Sequence, residues 1–255
     1  MDSNCVLVAE HIYKTYNHSV IDKINHEVET EVLKDFNITV NSGDSICIMG
    51  KSGCGKTTLL KVLGTIDRAT GGEIYYSGKN LKQMSDYEIA LLRRREIGFV
   101  FQDYNLFDHL NVEENIMVPM ILDKKKYNEI HGRVMEYAMF LDICHILKKY
   151  PCEISGGEKQ RTAIARALVN DPQIIFGDEP TGNLDSASAF SIMNYLEDIN
   201  TVKKKALVIV THDASVASYC KKVFFIKDGR MEMEIENSED KESNVKRISE
   251  IMMCL

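Results

Sequence analysis

The chain has 255 residues, 44% hydrophobic and 27% charged, enough for a substantial core without metal or disulfide support. Its formal net charge of -7 argues against non-specific attraction to nucleic acid or anionic lipid, so no nucleic-acid partner is expected. Seven scattered cysteines without ligand spacing read as thiols of a reducing compartment, not as zinc ligands or disulfides.

The N-terminus, MDSNCVLVAEHIYK, has no basic region followed by an apolar run, so no signal peptide is expected. CVLVAEHIYKTY and EVLKDFNITV alternate apolar and polar residues and predict half-buried antiparallel strands. NHSVIDKINHE between them reads as a loop. DSICIMG is a short apolar strand ending in glycine, and GKTTLLKVLGTI after it is helical. GGEIYYSGKN adds a strand and turn, SDYEIALLRRR a short helix, IGFVFQ another strand.

From Asn111 to Val169 the periodicity is helical, in VEENIMVPMIL, YNEIHGRVMEYAMFLDICHIL and the segment after Ser155, with Pro119 and Pro151 as punctuation. PQIIFGDE and KALVIVTHD then predict strands, SASAFSIMNYLEDI and ASVASYCKK helices, and VFFIKDGRMEMEI a hairpin through Asp228-Gly229. The basic runs at Lys124 to Lys126 and Lys203 to Lys205 fit solvated loops or helix ends. No segment reaches the ~18 apolar residues that cross a bilayer. The expectation is one α/β domain over 1–236 with a mostly parallel sheet, a helical subdomain at about 103–165, and a polar tail over 237–255, either mobile or a docking helix.

GKSGCGKTT fits G-x-x-x-x-G-K-[ST] with a strand before it and a helix after. The glycines let the loop curl so that backbone N–H groups face phosphate oxygens, backed by the helix dipole. Gly50, Lys51, Ser52, Gly53, Cys54, Gly55, Lys56, Thr57 and Thr58 are therefore candidate nucleotide ligands. Lys56 suits the β- and γ-phosphates and Thr57 a Mg²⁺ ion. At the end of PQIIFGDE stand Asp178 and Glu179. In extended chain their side chains point apart, one toward the metal's water shell and one toward an attacking water. Ser155, Gly156 and Gly157 open a second helix suited to an anion, and Glu158 can equally close a capping box with Ser155. Both readings can hold at once.

These motifs, in this order, resemble the ATP-binding cassette (ABC) ATPases over nearly the whole chain. GKSGCGKTT is similar to Walker A, IIFGDE to Walker B with its catalytic glutamate, and Gln102 in FVFQ to the Q-loop. ISGGEKQR resembles the family signature, with Glu158 where many members have Gln; GNLD, with Asp185, resembles the D-loop. His212 in VTHD matches the switch histidine, and Tyr16 in KTY the aromatic residue that stacks on adenine. Gly177 stands where Ala is common, and the loop after Tyr16 is long. Within the family, RRREIGFVFQDYNLFDHLNVEENIMVPMIL, DEPTGNLDS and THDASVASYCKKVFFIKDG resemble the branch serving macrolide exporters, lipoprotein release and antimicrobial-peptide resistance, most of all the bacitracin-resistance (Bce-type) ATPases.

The resemblance implies a RecA-like P-loop core with an N-terminal antiparallel β subdomain and an inserted α-helical subdomain. It implies ATP and Mg²⁺ as ligands, the metal held by Thr57, Gln102 and, through water, Asp178. It also implies a head-to-tail dimer in which Ser155, Gly156, Gly157 and Glu158 meet the partner's nucleotide. Glu179 and His212 would be catalytic. The further partners implied are a separate membrane permease with a large extracellular domain and, through it, a sensor kinase, with the chain on the inner face of the membrane. A soluble cassette protein of translation or DNA repair is the alternative from another class; those usually carry tandem cassettes, a long coiled coil or zinc-binding cysteines.

Overall fold

The computed structural model describes residues 4–19 and 27–255; residues 20–26 of the expected loop lie outside them. The chain forms two compact units, Met1–Ile89 with Val210–Leu255, and Ala90–Ile209.

In the first unit, β1 (Cys5–Ser19) pairs antiparallel with β2 (Glu27–Asn41) and with β4 (Gly71–Tyr76), which pairs with β5 (Lys79–Asn80). The sheet order is β2-β1-β4-β5. Period-two patterning sets the faces: Phe36, Ile38 and Val40 are buried, while Asp35, Asn37 and Thr39 face out. β3 (Ser45–Met49) is buried throughout and pairs parallel with β9 (Lys222–Lys227), which is antiparallel to β10 (Arg230–Glu236). Between β9 and β10, Asp228 at φ 47° and Gly229 at φ 80° make the left-handed pair that a two-residue hairpin turn requires. α1 (Lys56–Leu63) follows the β3 loop, and α7 (Ala214–Ala217) is a single turn.

Within residues 237–255 lies α8 (Lys241–Cys254), capped by Asp240 and packed on α7. Asn237 Nδ2 donates to the carbonyls of Ala217 (2.9 Å) and Cys220 (2.7 Å), and Ile248 is fully buried. The Lys241 ammonium lies 3.7 Å from the Tyr219 ring centre and Arg247 donates to Glu236 O, so polar contacts join Ile248 in docking a segment whose sequence is mostly polar.

In the second unit, β6 (Ile97–Phe101) runs parallel to β7 (Ile174–Asp178), with β8 (Ala206–Thr211) beyond it. Phe99 and Phe176 stack at 5.6 Å between ring centres, and Phe176 is fully buried, worth about 1.5–3 kcal/mol of hydrophobic stabilisation. α2 (Asp86–Arg95) precedes β6 in the chain, and helices α3 (Val112–Leu122), α4 (Tyr127–Phe140), α5 (Gly156–Leu168) and α6 (Ser186–Thr201) follow.

Two boundaries differ from the periodicity. Pro119 lies inside α3, where it removes one backbone donor without ending the helix. α4 stops at Phe140, although apolar spacing continues to Leu147. Asp142 takes φ 53°, and Ile143 N donates to Ala138 O (2.9 Å), a Schellman closure with Asp in the position usually held by Gly. All seven cysteines are free. Among the described residues, no helix is long and apolar enough to cross a membrane.

Candidate functional site

Each unit carries part of the predicted constellation. In the first, β3 delivers the chain into the Gly50–Thr58 loop and α1 leaves it. Gly55, the residue before α1, has φ 104°, and a Cβ there would stand 2.9 Å from Val32 O; no other residue type fits both constraints. Lys56 is buried, and its Nζ donates to the carbonyls of Gly50 (2.7 Å) and Lys51 (3.0 Å). The ammonium is thus folded back over the carbonyls of the loop. Thr57, Lys51, Ser52 and Gly53 are exposed.

Tyr16, on β1, donates its hydroxyl to Asp67 Oδ2 (2.7 Å) and is hydrogen-bonded to Thr58, while the Lys14 ammonium lies 4.6 Å from its ring centre. The aromatic ring is therefore fixed beside the loop's last residue. His212 is exposed just after β8, and Asp213 following it caps α7 by accepting from Ser215 N (2.7 Å).

In the second unit Asp178 closes β7, but Glu179 does not continue the extended chain on which the divergence of the two carboxylates was predicted. It takes φ 44°, in the left-handed region, and opens a turn in which Gly182 N donates back to Glu179 O (3.0 Å). Strand alternation therefore stops at Asp178 and does not extend to Glu179.

Ser155 caps α5 in a full capping box. Glu158 Oε2 accepts from Ser155 N (2.8 Å) and Ser155 Oγ (2.7 Å), and Ser155 Oγ accepts from Glu158 N (3.3 Å). These bonds from Ser155 hold the Glu158 carboxyl below its ordinary range, with His145 adding to the effect. Gly157 does more than leave the backbone bare: a Cβ there would come 3.1 Å from Ser188 Oγ on α6. Asp185 caps α6, accepting from Ala187 N and Ser188 N (both 3.0 Å). The first turn of α5 and the Asp185 cap of α6 thus share one cluster.

Gln102 joins that cluster through Asn183. Gln102 Nε2 donates to Asn183 Oδ1 (3.2 Å), and Asn183 Nδ2 donates to Gln102 O (3.1 Å) and Asp103 Oδ1 (3.2 Å). Asn183, Gln160 and Arg166 were not singled out from the sequence. Arg166 donates to the carbonyls of Tyr104 (2.7 Å) and Asn105, holding two residues of positive φ after β6. Gln160 is wholly buried, and Nε2 donates to Pro180 O (2.5 Å). A buried polar residue cannot be told from an exposed one by helical spacing next to the small residues of this helix.

A parallel α/β core, a glycine loop opening a helix, and a strand ending in a carboxylate pair define a P-loop nucleotide-hydrolysing class. Residues 33–182 match the family described as ABC transporter. The chain belongs to that family, as an ATP-binding and ATP-hydrolysing subunit of a transporter. It is 46% identical over 237 residues to the uncharacterised ABC transporter ATP-binding protein YvcR of Bacillus subtilis, covering 93% of this chain and 90% of that protein. It is 42% identical over 235 residues to the bacitracin export ATP-binding protein BceA of Halalkalibacterium halodurans, covering 92% and 90%. Among solved structures, the dimeric, post-hydrolysis ATP-binding cassette MJ0796 bound to ADP and Pi matches with TM-score 0.81 and 34% identity, over 92% of this chain and 100% of that one.

Proposed function

We propose that the chain dimerises head to tail on ATP at the inner face of the cell membrane and drives a separate permease that confers antimicrobial-peptide resistance. The observation that carries the nucleotide assignment is the glycine loop with the buried Lys56 ammonium poised across it. The peptide role rests on the 42% identity to the bacitracin exporter's ATP-binding protein over most of both chains. The dimer draws on the dimeric MJ0796 cassette.

In this reading Gly50 to Thr58 hold the triphosphate, Lys56 turns from the loop carbonyls to the β- and γ-phosphates, and Tyr16 stacks on adenine. Thr57, Gln102 and Asp178 supply the oxygen donors that suit Mg²⁺, Asp178 through water. Bound there, the ion would neutralise charge building on the phosphates. Glu179 polarises the attacking water, and His212 holds water and γ-phosphate in line. Ser155 and the N–H groups of α5's first turn receive the γ-phosphate of the partner's ATP, with Asp185 beside them. That contact exists only with ATP present, which is the differential affinity closure requires. A permease with a large extracellular domain, and a sensor kinase reached through it, are the further partners of this reading.

Glu179→Gln tests the assignment. It should keep ATP binding, stop turnover and accumulate an ATP-bound dimer; undiminished hydrolysis would refute the role of Glu179. Deleting the gene should raise bacitracin sensitivity if the peptide role is right, and unchanged sensitivity to bacitracin and lantibiotics would return the substrate to the lipoprotein or macrolide classes.

A further inference from the structure

Gln160 lies in α5 five residues beyond the cap Ser155, with its side chain fully buried. Burying an amide is unfavourable unless its polar atoms are bonded, and an apolar side chain of similar volume would avoid the desolvation. Here only half of the amide is satisfied. Nε2 donates to Pro180 O at 2.5 Å, while Oε1, also buried, has no partner among the described residues. Packing alone does not call for an amide at this position. The bond it makes is to the residue directly after Glu179.

Glu179 itself has φ 44°, a conformation that persists only where surrounding contacts over-determine it. Two hydrogen bonds pin the chain that leaves it: Gly182 N donates to Glu179 O (3.0 Å), and Gln160 Nε2 donates to Pro180 O (2.5 Å). Pro180 is itself buried, so the grip cannot be replaced by bulk water.

We propose that Gln160 is a positioning residue for hydrolysis, which joins the anion-binding first turn of α5 to the carboxylate of Glu179 in the same chain. The proposal rests on the reading of Glu179 as the group that polarises water. Ser155 and Gln160 share one rigid helix, so a phosphate that draws the N-terminus of α5 also loads the Pro180 carbonyl. The partner's nucleotide is thereby linked to the hydrolytic geometry of this chain's own site.

The test is steady-state hydrolysis by the full-length chain with Gln160→Leu, Gln160→Glu and Glu179→Gln, with nucleotide binding and thermal melting measured in parallel. Gln160→Leu keeps volume and loses the donor. Its kcat should fall about tenfold or more with KM for ATP within about twofold, the pattern of a lost transition-state interaction. In Gln160→Glu the new carboxyl, raised in pKa by burial, donates to Pro180 O while protonated and loses that bond when it ionises. This variant should therefore lose turnover progressively as pH rises over a range in which the wild type does not.

A Gln160→Leu kcat within about twofold of wild type would overturn the proposal. So would a parallel loss of melting temperature, nucleotide binding and turnover combined with a pH-independent Gln160→Glu, since that is the mark of a packing role. If Gln160→Leu fails to fold, the pH profile of Gln160→Glu decides alone. Undiminished turnover in Glu179→Gln refutes the reading of Glu179. Arrest there with normal turnover in Gln160→Leu overturns the Gln160 assignment only.

Discussion

Glu158→Gln should tighten the ATP-dependent dimer. In the structure the donors that would greet the partner's γ-phosphate, Ser155 N and Ser155 Oγ, already bond Glu158 Oε2 at 2.8 and 2.7 Å. If this helix end receives that phosphate, the chain's own carboxylate is a resident competitor for it. A phosphate oxygen at hydrogen-bond distance from the same donors would stand roughly 5 Å from that carboxylate, costing about 0.8 kcal/mol per charge pair at the dielectric of water and about 3 kcal/mol at an effective value of 20. Glutamine keeps an acceptor for Ser155 N and completes the box, giving up only the charge–dipole stabilisation of about 0.3–1 kcal/mol. A head-to-tail dimer contains the contact twice. Even the lower figure, doubled, implies a dimerisation constant roughly tenfold tighter. The assay is sedimentation with ATP in the Glu179→Gln background, where nucleotide is not consumed, comparing Glu158 with its glutamine variant across ionic strength. The gain should shrink as salt screens the partly exposed pair. An unchanged or weaker dimer would refute the idea that this helix end receives a phosphate.

Ser155→Arg should abolish hydrolysis while the monomer still binds nucleotide, because it fills the site meant for the partner's ATP; equal loss of monomer binding in a filter or fluorescence titration would place Ser155 in the chain's own pocket. Ile248→Ala empties a fully buried position under α8 and should cost about 2–5 kcal/mol. Thermal melting would register this, and a change under about 0.5 kcal/mol would mean that α8 is not held by this contact. The Glu158 carboxyl is depressed in the folded chain, so its capping contribution is fully present above the unfolded glutamate pKa of about 4.3 and is lost as pH falls through the lower folded value. Amide exchange at Glu158 should therefore show the cap opening only in acid; an opening already complete near neutrality would contradict the box.

The strands and the phosphate loop were legible because their signals are local. Alternation around Phe36, Ile38 and Val40, the unbroken apolar run of β3 and the glycine spacing before Lys56 each act within a few residues. The end of α4 was not legible, since Asp142 does the work expected of glycine. Nor was the turn at Glu179, where the chain leaves β7 for a left-handed residue before Pro180. Asn183 and Gln160 escaped because their partners, Gln102 and Pro180, are distant in sequence.

The sequence by itself determined the class of chemistry. A curled glycine loop, a lysine, a hydroxyl and a strand-end carboxylate pair are short-range requirements of phosphate binding, and the chain writes them out in order. Tertiary structure alone decided how the backbone turns at Glu179, how Gln102 is locked to Asn183, and that a polar C-terminal segment docks as α8. Those depend on which side chain from a remote helix finds a buried carbonyl or an apolar gap, and that is fixed by packing across the fold, not by neighbours along the chain.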